Sequence, residues 1–233
     1  MLIRALLLLA SITAFGLAPL LTPPFTGYDP AQFPVPVDRP AIQPAGYAFA
    51  IWSLIYLWLI FHAVFGLWTR AKDPAWDRVR LPLAAAAVIG AAWLSIAGAS
   101  AIWGTLTIWP MMMAALIAFL RADPDQDRWL LSGAPAILAG WLTAAAAVST
   151  GVTLSGYGWL LDTAAALTML ALVLAIAVPV QRARPGMPVY GLTVIWALVG
   201  VIVANMETGR LVAIAAAGGI VVMAATLLLS RRA

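Results

Sequence analysis

Long apolar runs, separated by short breaks of charge, proline or glycine, follow one another along almost the whole chain. Eight runs can be delimited, at about 5–21, 46–68, 81–99, 102–120, 130–153, 159–178, 189–206 and 211–229. Crossing the hydrocarbon core of a bilayer takes about 20 apolar residues in a helix, and each run is near that length. Because 64% of the 233 residues are hydrophobic and only 9% are charged, there is no room for a separate soluble domain.

The secondary structure of these runs follows from their lipid surroundings. Backbone groups in lipid must be paired within the protein, so that only helices and closed barrels can span a membrane. The runs lack the alternation of apolar and polar residues found in barrel strands. We therefore predict an all-α fold, a polytopic transmembrane helix bundle of about eight helices.

Basic residues are divided unevenly between the two predicted sides. Eleven fall on one side and two, Arg39 and Arg210, on the other; the eleven are Arg4, Arg70, Lys72, Arg78, Arg80, Arg121, Arg128, Arg182, Arg184, Arg231 and Arg232. Cytoplasmic loops carry the excess of Lys and Arg, so we expect a multi-pass protein of the cell inner (plasma) membrane with both termini in the cytoplasm. The first run also fits a cleaved signal peptide, but a retained helix is favoured because the chain returns to the membrane after one short loop.

The longest connection between runs is rich in proline. Residues 22–45 contain seven prolines together with Phe25, Tyr28 and Phe33. Proline fixes φ and removes a backbone donor, so this segment is neither helix nor strand. It is either a lid over the helix bundle or an ordered surface loop, and the topology places it on the outer face.

Several chemistries are disfavoured by what the chain lacks. It contains no cysteine and one histidine, His62, so that neither a thiolate nucleophile nor a multi-histidine metal cluster can form. We expect His62 to be a hydrogen-bonded packing residue in preference to a haem ligand, and Asp162 to pair with Arg210 or a backbone donor. No acid, base and nucleophile group is visible, which makes an enzyme less favoured than a binding protein and leaves the question open.

Three aromatic segments carry a resemblance. Residues 44–56, PAGYAFAIWSLIY, resemble the signature of the TspO/MBR family, the tryptophan-rich sensory proteins related to the mitochondrial translocator protein. Trp93 and the segment 140–143 agree with the third and fifth helices of that family. The segment 194–200 resembles the seventh helix of its longer branch. The resemblance implies a five-helix core at 1–154, with the proline-rich outer loop at 22–45, and three additional transmembrane helices at 155–233.

The resemblance also implies a function and a site. It implies a pocket in the five-helix core, open toward the first loop, that binds a planar apolar ligand such as a porphyrin or haem, or a lipid. The ligand-binding residues expected on this basis are Tyr47, Phe49, Trp52, Tyr56, Trp93, Trp141 and Ser149. Ala45 stands where shorter members have a second proline, and Ser149 where asparagine is common. The spacing of Phe49, Trp52 and Tyr56 independently places three rings on one face of the second helix, for a ligand or for packing.

Two further expectations concern partners and alternatives. A small secondary transporter or permease for a lipophilic metabolite is the alternative function, although the sequence shows no coupling carboxylate at mid-membrane. Small residues at four-residue spacing, Ala87, Ala91 and Ser95, permit close helix contact and hence a homodimer. The last three helices, which contain few aromatic residues, are expected to pack beside the core without forming the pocket.

Overall fold

The computed structural model describes residues 1–23, 25 and 27–230. Arg231 and Arg232, which belong to the topology count, lie outside the described residues. Eight α-helices are described: α1 (Leu2–Leu21), α2 (Ile51–Trp68), α3 (Pro74–Ala99), α4 (Ala101–Arg121), α5 (Ala134–Gly156), α6 (Asp162–Ala183), α7 (Val189–Asn205) and α8 (Arg210–Ser230). The described part of the chain contains no strand, which confirms the all-α fold class.

Helix lengths agree with a membrane protein. Seven of the described helices are long and apolar enough to cross a bilayer, and α7, with 17 residues, is shorter. Three short pieces complete the described helical structure, the 3₁₀ turns Pro30–Gln32 and Gly46–Ala50 and a π-helical turn, Trp129–Gly133, that leads into α5. The eight predicted runs therefore correspond to the eight α-helices.

The helices form two adjoining groups that share α5. Helices α1, α2, α5, α4 and α3 pack in a closed ring, in that order. Helices α6 and α7 pack against α5, and α8 packs against α6 and α7. We call the end of the bundle that carries residues 22–45 the loop end, and the end that carries Met1 the terminal end. Shared by both groups, α5 is buried along most of its length.

Small residues explain how α5 can serve both groups. Its sequence is rich in alanine and glycine, which lets neighbouring backbones approach closely. A Cβ atom added at Gly140 would lie 2.7 Å from the carbonyl oxygen of Tyr190 in α7. A larger side chain at this position would therefore force α7 away from α5.

Polar contacts close the terminal end. The guanidinium of Arg80, whose side chain is 1% exposed, donates to the carbonyl oxygens of Gly66 (3.2 Å) and Arg70 (2.7 Å), and so caps the C-terminus of α2. Asp127 accepts hydrogen bonds from Arg70 Nε at 2.8 Å and from Trp76 Nε1 at 2.9 Å. The hydrogen bond from Arg70 holds the pKa of the Asp127 carboxyl below its ordinary value. These contacts join α2, α3 and the segment before α5.

Candidate ligand-binding cavity

A cavity of about 390 Å³ lies beneath the proline-rich loop, and residues of α1–α7 contribute to its walls. Its volume falls within the range of about 300–1,000 Å³ that is usual for small-molecule sites. All five helices of the ring and the loop contribute to the lining, which combines aliphatic residues with eight aromatic side chains: Phe15, Phe25, Tyr28, Phe49, Trp52, Tyr56, Trp93 and Trp141. The cavity is therefore an apolar space with flat walls.

Two aromatic rings of α2, those of Trp52 and Tyr56, line one side of the cavity. Trp52 and Tyr56 are stacked, with centroids 5.4 Å apart and planes inclined by 19°. Phe15 of α1 meets both rings edge-on, at 5.8 Å and 5.0 Å, and Trp141 of α5 meets Trp52 edge-on at 6.1 Å. The face predicted from the spacing of residues 49, 52 and 56 therefore exists, and all three residues line the cavity.

A hydroxyl network forms the polar corner of the cavity at the loop end. Tyr28 Oη lies 2.5 Å from Ser149 Oγ, and Thr105 Oγ1 lies 2.8 Å from Ser149 Oγ and 2.8 Å from Thr153 Oγ1. The network thus ties the loop to α4 and α5. Burial raises the pKa of the Tyr28 hydroxyl above its ordinary value, so this group stays protonated and can donate.

The indole N–H groups of two further lining residues, Trp93 and Trp141, differ in their hydrogen bonding. Trp93 donates from Nε1 to the Gly104 carbonyl oxygen at 2.9 Å, which fixes its ring between α3 and α4. The Nε1 donor of Trp141 is buried and has no hydrogen-bond partner in the described part of the chain. Leaving a buried donor unpaired costs about 1–3 kcal/mol, a penalty that a ligand bearing a suitably placed acceptor would relieve.

Tyr47 is the one expected site residue that lies away from the cavity. Its side chain is 44% exposed and meets Trp196 of α7 edge-on at 5.6 Å. Tyr47 lies two positions before Phe49, and residues two apart do not share a face either in the 3₁₀ turn Gly46–Ala50 or in an α-helix. Phe49 therefore faces the cavity while Tyr47 faces α7.

His62 also lies outside the lining. Its ring is fully buried near the terminal end, donates from Nδ1 to the Leu130 carbonyl oxygen at 2.8 Å, and lies 4.8 Å from the ring of Trp76. The expectation of a hydrogen-bonded packing histidine is confirmed. In the described residues, no group of three His, Cys, Asp or Glu side chains could hold a metal ion.

Several lining residues were missed by sequence reasoning. Phe15 and Met111 belong to helices that are mostly apolar, so the spacing of apolar residues alone does not identify them as lining residues. The expectation that the last three helices leave the pocket to the core is wrong for α6 and α7, because side chains from both line the cavity. These are Leu170, Val173, Val194, Ala197, Leu198 and Val201. Aliphatic residues of this kind look the same in a sequence whether they face lipid or a ligand.

The loop covers the cavity at the loop end, and α6 and α7 hold it there. Loop residues that line the cavity include Tyr28, Ile42 and Pro44. The backbone N–H of Ala41 donates to both carboxylate oxygens of Asp162, at 3.2 Å and 3.0 Å. Nδ2 of Asn205 donates to the carbonyl oxygen of the same Ala41 at 2.8 Å. Asp162 thus pairs with a backbone donor, one of its two expected partners.

Fold and cavity together define a polytopic helical membrane protein with a largely apolar cavity. The family described as TSPO-like protein matches residues 6–229 of the chain. The chain therefore belongs to this family, which confirms the resemblance and identifies a multi-pass membrane protein of the binding or sensory type. The match extends beyond residue 154 and includes α6, α7 and nearly all of α8. No curated protein and no solved structure matches the chain.

Proposed function

We propose that the cavity binds a planar apolar ligand of the tetrapyrrole class, such as protoporphyrin or haem. The observation that carries this proposal is the convergence of eight aromatic side chains on one cavity of about 390 Å³. Aromatic pairs contribute about 0.5–1.5 kcal/mol beyond the area they bury. Rings from α1, α2, α3 and α5 can contact a flat ligand on more than one side.

The cavity recognises the planar macrocycle of the ligand and not a metal bound at its centre. His62, the one histidine of the chain, lies outside the lining. The aromatic wall contacts the faces and edges of a macrocycle whether or not a metal is bound at its centre. Haem and metal-free protoporphyrin accordingly compete for the same cavity.

The orientation in the membrane is part of the proposal. The excess of Lys and Arg at the terminal end supports cytoplasmic termini in a bacterial inner membrane, with the cavity beneath the outer face. Reporter fusions after α8 test this orientation. If a reporter that functions only in the periplasm were active when fused there, the orientation would be contradicted.

Titration with protoporphyrin tests the ligand. The protein is purified in detergent, and quenching of tryptophan fluorescence is followed for the parent and two matched variants. Ala145→Phe places a ring in the cavity, since Ala145 lines it, whereas Val88→Phe places the same ring on the lipid-facing surface of α3, where Val88 is 57% exposed.

We expect the parent and the Val88→Phe protein to bind alike and Ala145→Phe to bind at least about tenfold more weakly, because the added ring occupies the ligand's space. Equal binding by all three proteins would place the ligand outside the cavity. Accumulation of the ligand inside proteoliposomes against its gradient would instead favour the permease alternative.

A further inference from the structure

We propose that the terminal end of the bundle binds the phosphate group of an anionic phospholipid, in a pocket formed with Arg78, Arg121 and Arg184. This site is separate from the cavity beneath the loop, with which it shares no lining residue. The inference therefore goes beyond the proposed function and does not depend on it.

The pocket has a volume of about 420 Å³ and opens on the protein surface. It is lined by residues 120–124, at and after the end of α4, by Arg78 near the start of α3, and by Arg184 just after α6. Three of these seven residues are arginines and one, Asp123, is acidic. The walls of the pocket therefore carry an excess of positive charge.

Neutral groups hold the side chain of Arg184 in place. Its guanidinium donates to the carbonyl oxygens of Leu120 at 3.1 Å and Ala122 at 2.6 Å, and to Ser132 Oγ at 3.0 Å. The C-terminus of a helix carries a partial negative charge of about half an elementary charge, and Arg184 offsets that of α4. The carbonyl groups at the end of α4 therefore do not cancel the positive charge of the other two arginines.

The one carboxylate of the pocket is largely engaged by backbone donors. Asp123 Oδ1 accepts from the backbone N–H groups of Asp125 and Gln126, each at 3.0 Å. Asp123 Oδ2 lies 3.9 Å from Arg78, which is too far for a hydrogen bond. Arg121 makes no ion pair or hydrogen bond within the described residues. The guanidinium groups of Arg78 and Arg121 are thus available to an anion.

Phosphate is the anion that suits these groups. The guanidinium group is planar and can donate two parallel hydrogen bonds to a pair of phosphate oxygens. Arg78 and Arg121 are both exposed, one on α3 and one at the end of α4, and the half-buried Arg184 adds a third positive charge. A single phosphate can therefore contact donors from two different helices.

An exposed apolar face of α4 leads away from the pocket and indicates that the phosphate belongs to a lipid. Met113, Ile117 and Leu120 are exposed, and their spacing of four and three residues places them on one side of the helix. Leu120 also lines the pocket. A phospholipid whose phosphate lies in the pocket can therefore lay an acyl chain along α4.

The net charge of the headgroup determines which phospholipid is preferred. Basic pockets between transmembrane helices bind anionic headgroups. Phosphatidylcholine carries a cation beside its phosphate, and the arginines repel that cation. The pocket should therefore select phosphatidylglycerol over phosphatidylcholine with the same acyl chains.

Competition between these two lipids tests the site. The full chain in detergent is mixed with equal amounts of both, and the bound lipids are counted by native mass spectrometry. Arg121→Gln removes one guanidinium from the pocket. Arg182→Gln is the matched control, because it removes the same charge from an exposed position at the end of α6 that lies outside the lining.

We expect the parent to bind phosphatidylglycerol about tenfold more tightly than phosphatidylcholine. Arg121→Gln should weaken the binding of phosphatidylglycerol about fivefold and leave that of phosphatidylcholine unchanged, while Arg182→Gln behaves as the parent. Arg78→Gln removes the second available guanidinium and should have an effect similar to that of Arg121→Gln.

Two results of this competition would overturn the inference. One is equal binding of the two lipids by the parent. The other is an equal loss of phosphatidylglycerol from Arg121→Gln and Arg182→Gln, which would show a general attraction to the basic end of the bundle.

Inorganic phosphate distinguishes a lipid site from a site for a free anion. Ligands that bind the folded state raise the melting temperature, so phosphatidylglycerol should raise that of the parent more than that of Arg121→Gln. Inorganic phosphate at the same concentration should leave both melting temperatures unchanged. If it stabilised the parent as much as phosphatidylglycerol does, the pocket would be a site for free phosphate and the assignment to a lipid would be wrong.

Discussion

Replacement of tryptophan by leucine is expected to have opposite consequences at Trp52, in α2 near the loop end, and at Trp76, in α3 near the terminal end. Trp52 lines the cavity and contacts the rings of Phe15, Tyr56 and Trp141. Because its indole already borders an empty space, Trp52→Leu should cost little stability, about 1 kcal/mol. Loss of one stacking surface for the ligand should weaken protoporphyrin binding by about 1–2 kcal/mol, or about fivefold to thirtyfold.

Trp76 provides the matched control. Its side chain is 1% exposed, donates to Asp127 at 2.9 Å and lies outside the cavity lining. Trp76→Leu should leave ligand affinity unchanged and lower the free energy of unfolding by about 3 kcal/mol, the cost of a core cavity and a lost hydrogen bond.

The assay must not depend on the fluorophore that is removed. Absorbance of the bound porphyrin gives the affinity, and thermal unfolding in the same detergent gives the stability. If Trp52→Leu bound protoporphyrin as tightly as the parent while melting as early as Trp76→Leu, Trp52 would be a packing residue and the argument for an aromatic binding wall would be refuted.

Three other predictions concern the lid, the terminal end and the metal. Asp162→Ala removes the acceptors for Ala41 N–H and should speed ligand dissociation about fivefold in stopped-flow experiments; an unchanged rate would show that this contact does not hold the lid. Arg70 lowers the pKa of Asp127 in the folded state. The ion pair of these two residues therefore contributes to stability above about pH 4, and this contribution is lost as the pH falls further. Acid should lower the melting temperature of the parent more than that of Asp127→Asn. Haem and protoporphyrin should bind within about threefold of each other, and a much tighter haem complex that His62→Gln weakens would contradict a metal-independent site.

The fold could be predicted from the sequence because the bilayer constrains it strongly. Run lengths and the distribution of Lys and Arg were sufficient to delimit eight spans, and α6 (Asp162–Ala183) begins within three residues of its predicted start at about 159. The boundary was harder at α3, which begins at Pro74 and not at about 81, because charged residues such as Asp77 and Arg78 interrupt the apolar pattern at its start.

Residue spacing alone predicted the site only where a helix has a distinctive face, whereas Trp93, Trp141 and Ser149, which also line the cavity, were expected from the family resemblance. Phe49, Trp52 and Tyr56 stand out as large rings at helical spacing, and the structure brings them together around the cavity. Tyr47 was expected from the family resemblance but lies outside the cavity lining, because it is two positions from Phe49 and residues two apart do not share a helix face. The contributions of α6 and α7 could not be predicted, because Val194 and its neighbours resemble lipid-facing residues and only tertiary packing shows which of them turn inward.

The most direct measurement of the central claim is an experimental structure of the full chain with protoporphyrin bound. The account predicts density for one macrocycle beneath the proline-rich loop, in van der Waals contact with Trp52, Trp93 and Trp141. A macrocycle bound on the lipid-facing surface, with the cavity filled by side chains of the protein, would contradict it.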